Sequence, residues 1–138
     1  MVIKKRIVAL DIGTKRIGVA VCDALWIGAT PIKTINRKND KVALEEIKKI
    51  CNEYTTDTIL IGVPYNMDGS LGFQAKNCFD FIEPLRKEYV ILEQDERLSS
   101  STAEEILRSK GKKYTKDKAL VDSTAACVIL TQYLEDNR

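Results

Sequence analysis

There is no histidine among the 138 residues of this chain. That absence removes imidazole general bases, Ser-His triads and His-dependent nucleases together. Any catalysis must therefore rest on carboxylates, amines, hydroxyls or a metal ion. The four cysteines, Cys22, Cys51, Cys78 and Cys127, stand far apart with no C-x-x-C pair. Without histidine they form no zinc site, and each lies in an apolar periodic segment where cysteine acts as a small buried hydrophobe. No run approaches the roughly 20 apolar residues of a membrane span. The basic start, Lys4-Lys5-Arg6, leads into neither a long apolar stretch nor a small-residue cleavage site, so it reads as the approach to a strand rather than a signal peptide. A cytoplasmic protein with no membrane partner is expected.

Repeats, low-complexity tracts and Pro/Gly/Ser linkers are missing too, which predicts a single domain over residues 1–138. A hydrophobic fraction of 44% and a charged fraction of 30% suit an ordinary globular core, not a disordered chain. The net charge of +2 hides an uneven distribution. Arg108, Lys110, Lys112, Lys113, Lys116 and Lys118 face one acid, Asp117, so this segment is +5 and the rest of the chain −3. A basic loop on a mildly acidic body suits a polyanion, and equally a merely solvated loop.

Short β-rich runs at Arg6–Leu10, Ile17–Cys22 and Thr30–Ile35, joined by short loops, predict an antiparallel meander. The period then changes. After Asp40, a candidate N-cap, Leu44, Ile47, Ile50, Cys51 and Tyr54 recur at helical spacing. Thr58–Val63 is a nearly continuous apolar run, which suits a central strand covered on both faces. A second helix from about Leu71 or Gly72 should turn Ala75, Cys78, Phe79, Ile82 and Leu85 inward, with a kink or early end at Pro84. Tyr89–Gln94 reads as a fifth strand. Ser101-Thr102-Ala103-Glu104 fits a capping box opening a helix to about Ser109. A last helix carries Val121, Ala125, Val128, Ile129 and Tyr133 on one stripe. The expected fold is α/β, a mixed five-stranded sheet with helices on both faces.

Three acids are placed for chemistry. Asp11 ends the first strand before Gly13, where α/β sheets put ligands, although such an Asp also commonly caps its own turn. Asp95-Glu96 ends the fifth strand, and alternation sends the two side chains to opposite faces. Asp122 interrupts a segment that otherwise reads as a packed helix, beside the small residues Ala125 and Ala126. A carboxylate there needs a partner, and a metal ion would supply one. Separated carboxylates make a hard-oxygen site for Mg²⁺ or Mn²⁺, the type of site that hydrolyses phosphodiesters without histidine.

Four blocks, Leu10-Asp11-Ile12-Gly13-Thr14-Lys15-Arg16-Ile17-Gly18-Val19-Ala20, Gly62 to Ser70, Asp95 to Ser100 and Val121 to Ala126, together resemble the YqgF/RuvX family. These are bacterial RNase H-like proteins described as Holliday junction resolvases and pre-16S rRNA nucleases. The resemblance implies an RNase H-like fold and a metal-dependent nuclease, acting in 5′-end processing of precursor 16S rRNA. A Holliday junction resolvase-like DNA nuclease is the alternative. It implies Asp11, Glu96 and Asp122 as catalytic, metal-binding acids, with Glu96 preferred over Asp95. Asn66, Asp68 and Gly69 match the loop beside the site, and Lys118 matches a basic position that could meet a phosphate. Lys15, Arg16, Arg97, Lys112, Lys113 and Lys116 are weaker candidates for nucleic-acid contact. The partner implied is structured RNA or branched DNA, bound by a monomer or homodimer. Resolvases of the RuvC type carry a glutamate where this chain has Gly62 and a further aspartate where it has Ala125, so the site here is leaner.

Two other readings use the same residues. The first block also resembles the phosphate loop of actin/Hsp70/hexokinase-like ATPases, but a nucleotide clamp needs two such domains. A non-catalytic RNA- or transcription-complex-binding module would use the sheet and basic loop and leave the acids without a reaction. Trp26 and Tyr114 could stack on bases, or anchor their loops.

Overall fold

A computed structural model of the chain describes residues 4–96, 106, 108 and 118–138. Five strands form one sheet: β1 (Val8–Ile12), β2 (Arg16–Cys22), β3 (Ala29–Asn36), β4 (Thr58–Val63) and β5 (Val90–Asp95). Their spatial order is β3-β2-β1-β4-β5. The first three pair antiparallel as a meander, and β4 joins β1, and β5 joins β4, in parallel. All six residues of β4 are buried. This explains its unbroken apolar run, since a parallel strand between two neighbours is covered on both faces. The expected mixed sheet is present, and β1 runs beyond the expected end. It passes through Asp11, which pairs with Gly18, to Ile12.

Strand alternation divides the core in two. Val8, Leu10, Ile12, Ile59, Ile61 and Val63 face one side, under α1 (Asp40–Glu53) and α2 (Phe73–Ile82). Ala9, Ala20 and Leu60 face the other, against Ala126, Ile129, Leu130 and Leu134 of α3 (Lys118–Asn137). The second side sets small residues, Ala9, Ala20 and Ala126, among its branched ones, which lets α3 approach the sheet closely.

The cap of α1 is Asn39, not Asp40. Asn39 is extended and its side chain accepts from the Lys41 and Val42 amides, while Asp40 is the first helical residue. Asp40 turns instead to Arg37, at 2.9 Å, a partner that the helix pattern did not reveal. α2 begins at Phe73 after Gly72. It stops at Ile82, and Pro84 follows within a 3₁₀ turn, Glu83–Leu85, as a missing amide donor requires. The buried stripe of α3 is broader than expected. It takes in Ala126, Leu130 and Leu134, whereas Val128 and Tyr133 are only half-buried. The helix expected over 101–109 lies almost wholly outside the described residues; Ile106 and Arg108 are helical. No helix among the described residues is long and apolar enough to cross a membrane.

Candidate active site

The acids meet on the face of small residues. Asp11 follows Ala9 by two along β1 and so points toward α3. Glu96 shares the parity of Leu92, which packs in the α3 core, and of Gln94, which donates to Asp136 of α3 at 3.4 Å. Its amide donates to Val63 O at 3.1 Å, extending the β4–β5 ladder by one step. Asp11 and Glu96 share a side-chain hydrogen bond. Asp95 goes to the opposite face, where its charge and that of Glu93 act on Tyr65. Alternation had predicted that split, and it is Glu96 that shares the face of Asp11.

Two missing side chains make room for this arrangement. A Cβ on Gly62 would stand 2.7 Å from Glu96 Cδ and 2.5 Å from Ile129 Cδ1. The Glu96 carboxyl therefore occupies the space directly over the Gly62 backbone. A Cβ on Gly18 would come within 2.0 Å of the Asp122 carbonyl oxygen. The backbone of α3 thus rests on β2 at the turn that carries Asp122. Glycines within strands often mark such close approaches.

Burial pushes the Asp11 carboxyl up to about 6; the Glu96 hydrogen bond opposes the rise, and the negative charge of Asp122 adds to it. The field extends through β1. On its far side the Cys78 thiol, which donates to Ile12 O at 3.6 Å, is pushed up to about 12 by burial, with Glu96 and Asp11 adding to the effect.

Asp122 itself turns elsewhere. Its Oδ2 accepts from Arg16 Nε at 2.7 Å. Among the described residues no group of three or more His, Cys, Asp or Glu side chains is gathered tightly enough to hold a metal ion. The structure thus joins two of the three expected acids and leaves the third within electrostatic reach. Arg16, expected as a weaker candidate for nucleic-acid contact, is the partner that a half-buried Asp122 requires. The donor chemistry still fits a hard divalent ion. The donors are carboxylate oxygens, and the raised Asp11 carboxyl is one whose ionised form a cation would favour.

A family model described as "RuvX: Holliday junction resolvase" matches residues 5–136. The chain belongs to the RuvX family. It is 43% identical over 133 residues to a Clostridium botulinum protein named "Putative pre-16S rRNA nuclease", covering 94% of this chain and 96% of that one. Its fold resembles the fowlpox virus Holliday junction resolvase, with a TM-score of 0.59, 16% identity and 95% and 99% of the two chains covered. Thermus thermophilus RuvC, solved with a Holliday junction substrate, gives a TM-score of 0.55 at 12% identity, with 96% and 94% covered. At those identities the likeness concerns the fold.

Around the acids, the remaining candidates of this RuvX chain divide. Lys15 is exposed at the β1–β2 turn, and Lys118 is exposed at the start of α3. Asn66, Asp68 and Gly69 form a turn closed on itself. Asn66 Nδ2 donates to Ser70 Oγ at 3.0 Å, Asp68 Oδ1 accepts from the Ser70 amide at 2.9 Å, and Gly69 takes a φ of 87°. Arg97, Lys112, Lys113, Lys116 and Tyr114 lie outside the described residues. Trp26 is an anchor: its Nε1 donates to Lys5 O at 2.8 Å and its ring meets Tyr133 edge-on.

Sequence reasoning missed Arg37. Its side chain is only 7% exposed. It donates to Gly13 O at 2.8 Å and Asn77 Oδ1 at 3.1 Å, and lies 4.4 Å from the Phe81 ring centroid. It thereby ties the turn after Asp11 to α1 and α2. The one available signal was a cation four residues before the expected first helical turns, and that is too common to single out.

Proposed function

We propose that this RuvX-family chain is a divalent-metal-dependent nuclease that hydrolyses phosphodiesters in 5′-end processing of precursor 16S rRNA. The observation that carries the reading is the Asp11–Glu96 pair, two carboxyls brought together on one face of the sheet, with Asp11 pushed up by burial and by the charge of Asp122. Such a pair is costly to a fold that gains nothing else from it. Asp11, Glu96 and Asp122 are the residues that would hold Mg²⁺ or Mn²⁺. When bound, the ion activates water and stabilises the leaving oxygen of a phosphodiester. Asp11 and Glu96 orient that chemistry from rigid strand ends, and Lys15 and Lys118 lend cations for phosphates. The names of its sequence relatives favour precursor 16S rRNA. The description of its family favours a four-way DNA junction as the second substrate to test. We place the activity in the cytoplasm, in one domain acting as a monomer or homodimer.

The deciding experiment incubates the protein with precursor 16S rRNA and with a synthetic four-way junction, with and without Mn²⁺. Asp11→Asn keeps the shape and removes the charge, so it should lower metal-dependent cleavage at least about a hundredfold, the scale for losing a positioned catalytic group. Salt-dependent RNA affinity should persist. Full cleavage by Asp11→Asn would reject the assignment. RNA binding with no cleavage under any metal would favour a non-catalytic binding module.

A further inference from the structure

Asp122 stands apart from the other two acids, and Arg16 holds it there, Nε to Oδ2 at 2.7 Å across 106 positions of sequence. The pair is not sealed from water: the Arg16 side chain is 40% exposed and that of Asp122 22%. The backbones beneath both are fixed. Arg16 opens β2 in register with Asn36 of β3, and its carbonyl accepts from the Gly13 amide at 2.9 Å. The Asp122 carbonyl is seated on Gly18 too closely for a Cβ to intervene. Any rearrangement between them is therefore a movement of side chains, and the long one is the arginine.

We propose that Arg16 is a built-in counterion, holding the Asp122 carboxylate in the metal-free protein and yielding it to an incoming divalent cation. The inference rests on the metal-nuclease reading above. A guanidinium stays charged at any physiological pH, so it gives up this carboxylate to water or to a competing cation and not by losing its own proton. It supplies one positive charge beside three acids, where a divalent ion supplies two. The exchange is therefore favourable once the ion also reaches Asp11 and Glu96. Until then Asp122 is neutralised without a metal, which accounts for the separation of the third acid from the pair. The freed guanidinium remains tethered beside Lys15, where a nucleic-acid phosphate is a suitable next acceptor.

The test is calorimetric titration of Mn²⁺ into the full, metal-free chain, with no nuclease assay required. Arg16→Gln should bind Mn²⁺ about fivefold more tightly than wild type, the scale of a partly exposed ion pair, whereas Asp122→Asn should bind it more weakly. A second readout uses wild type alone and does not depend on a variant folding. The Arg16 Nε–H signal of ¹⁵N-labelled protein should lose its hydrogen-bonded shift on saturation with Mg²⁺. Metal binding that leaves this signal unmoved, or equal or weaker Mn²⁺ affinity in a folded Arg16→Gln, overturns the inference and leaves the nuclease reading standing. No metal binding by wild type or either variant overturns both.

Discussion

Replacing Asp11 by asparagine should make the metal-free protein more stable at neutral pH while it removes the proposed activity. The folded Asp11 carboxyl is lifted from 3.8 to about 6, first by burial. Folded chain then binds this proton more tightly than unfolded chain. The associated stability is complete below about pH 3.8 and is lost as pH climbs through about 6. At 1.36 kcal/mol per pH unit, ionising Asp11 in the folded state costs about 3 kcal/mol above that window. An asparagine never ionises, and it keeps a polar atom for Glu96. Allowing about 1 kcal/mol for a poorer hydrogen bond leaves an expected gain of about 2 kcal/mol. Urea unfolding in EDTA at several pH values measures it. The two proteins should converge near pH 4 and separate by pH 8, with the variant ahead. Added Mg²⁺ should restore the wild type selectively, because a ligand of the folded state stabilises it by mass action. A variant no more stable than wild type at pH 8, with a gap that does not change with pH, would refute the reasoning.

Three further outcomes follow from the packing. Gly18→Ala puts a Cβ 2.0 Å from the Asp122 carbonyl, a clash with backbone on both sides. Thermal melts should show a loss of about 3 kcal/mol, the upper range for overpacking. Gly62→Ala meets only side-chain atoms of Ile129 and Glu96. It should cost about 1 kcal/mol in the same assay but displace the Glu96 carboxyl, so cleavage should fall more than about tenfold. Arg37→Ala strands the acceptors on Gly13 and Asn77 and removes the partner of the more exposed Asp40. Chemical denaturation should reveal a loss of about 3 kcal/mol, the scale for hydrogen bonds from a buried charge.

The fold was largely legible because its signals are local. A nearly continuous apolar run announces β4, Pro84 announces the end of α2, and a change from period two to helical spacing separates the meander from α1. Asp11 and the Asp95-Glu96 pair were legible from their positions at strand ends, because parity sends only one of the pair to the face of Asp11; that the one is Glu96 was implied by the family resemblance and not by the pattern. The pairing of Arg16 with Asp122 was not legible. It joins residues 106 apart through a geometry that depends on where α3 crosses β2, and no spacing rule encodes a crossing. Arg37 was hidden for the same reason. Its acceptors include a carbonyl and an amide on separate elements, and carbonyls carry no sequence identity. The cap of α1 failed by one residue because Asn39 and Asp40 are both good caps, and the choice was made by a tertiary partner, Arg37.

The same crossing explains why the predicted effects of acids and glycines have opposite signs. On the face of β1, β2 and β4 that receives α3, Ala9, Gly18, Ala20 and Gly62 open shallow space between larger residues such as Leu60. At Gly18 the helix is positioned by backbone contact, with no room for a side chain between. Carboxyls placed in that shallow space are poorly solvated and near one another, as the rise of Asp11 to about 6 records. Neutralising Asp11 relieves the fold, because its charge supports none of the packing. Adding one methyl at Gly18 damages the fold, because the contact it enters has no slack. In the absence of a cation a site built this way keeps Asp11 destabilising, whereas Asp122 is offset by Arg16.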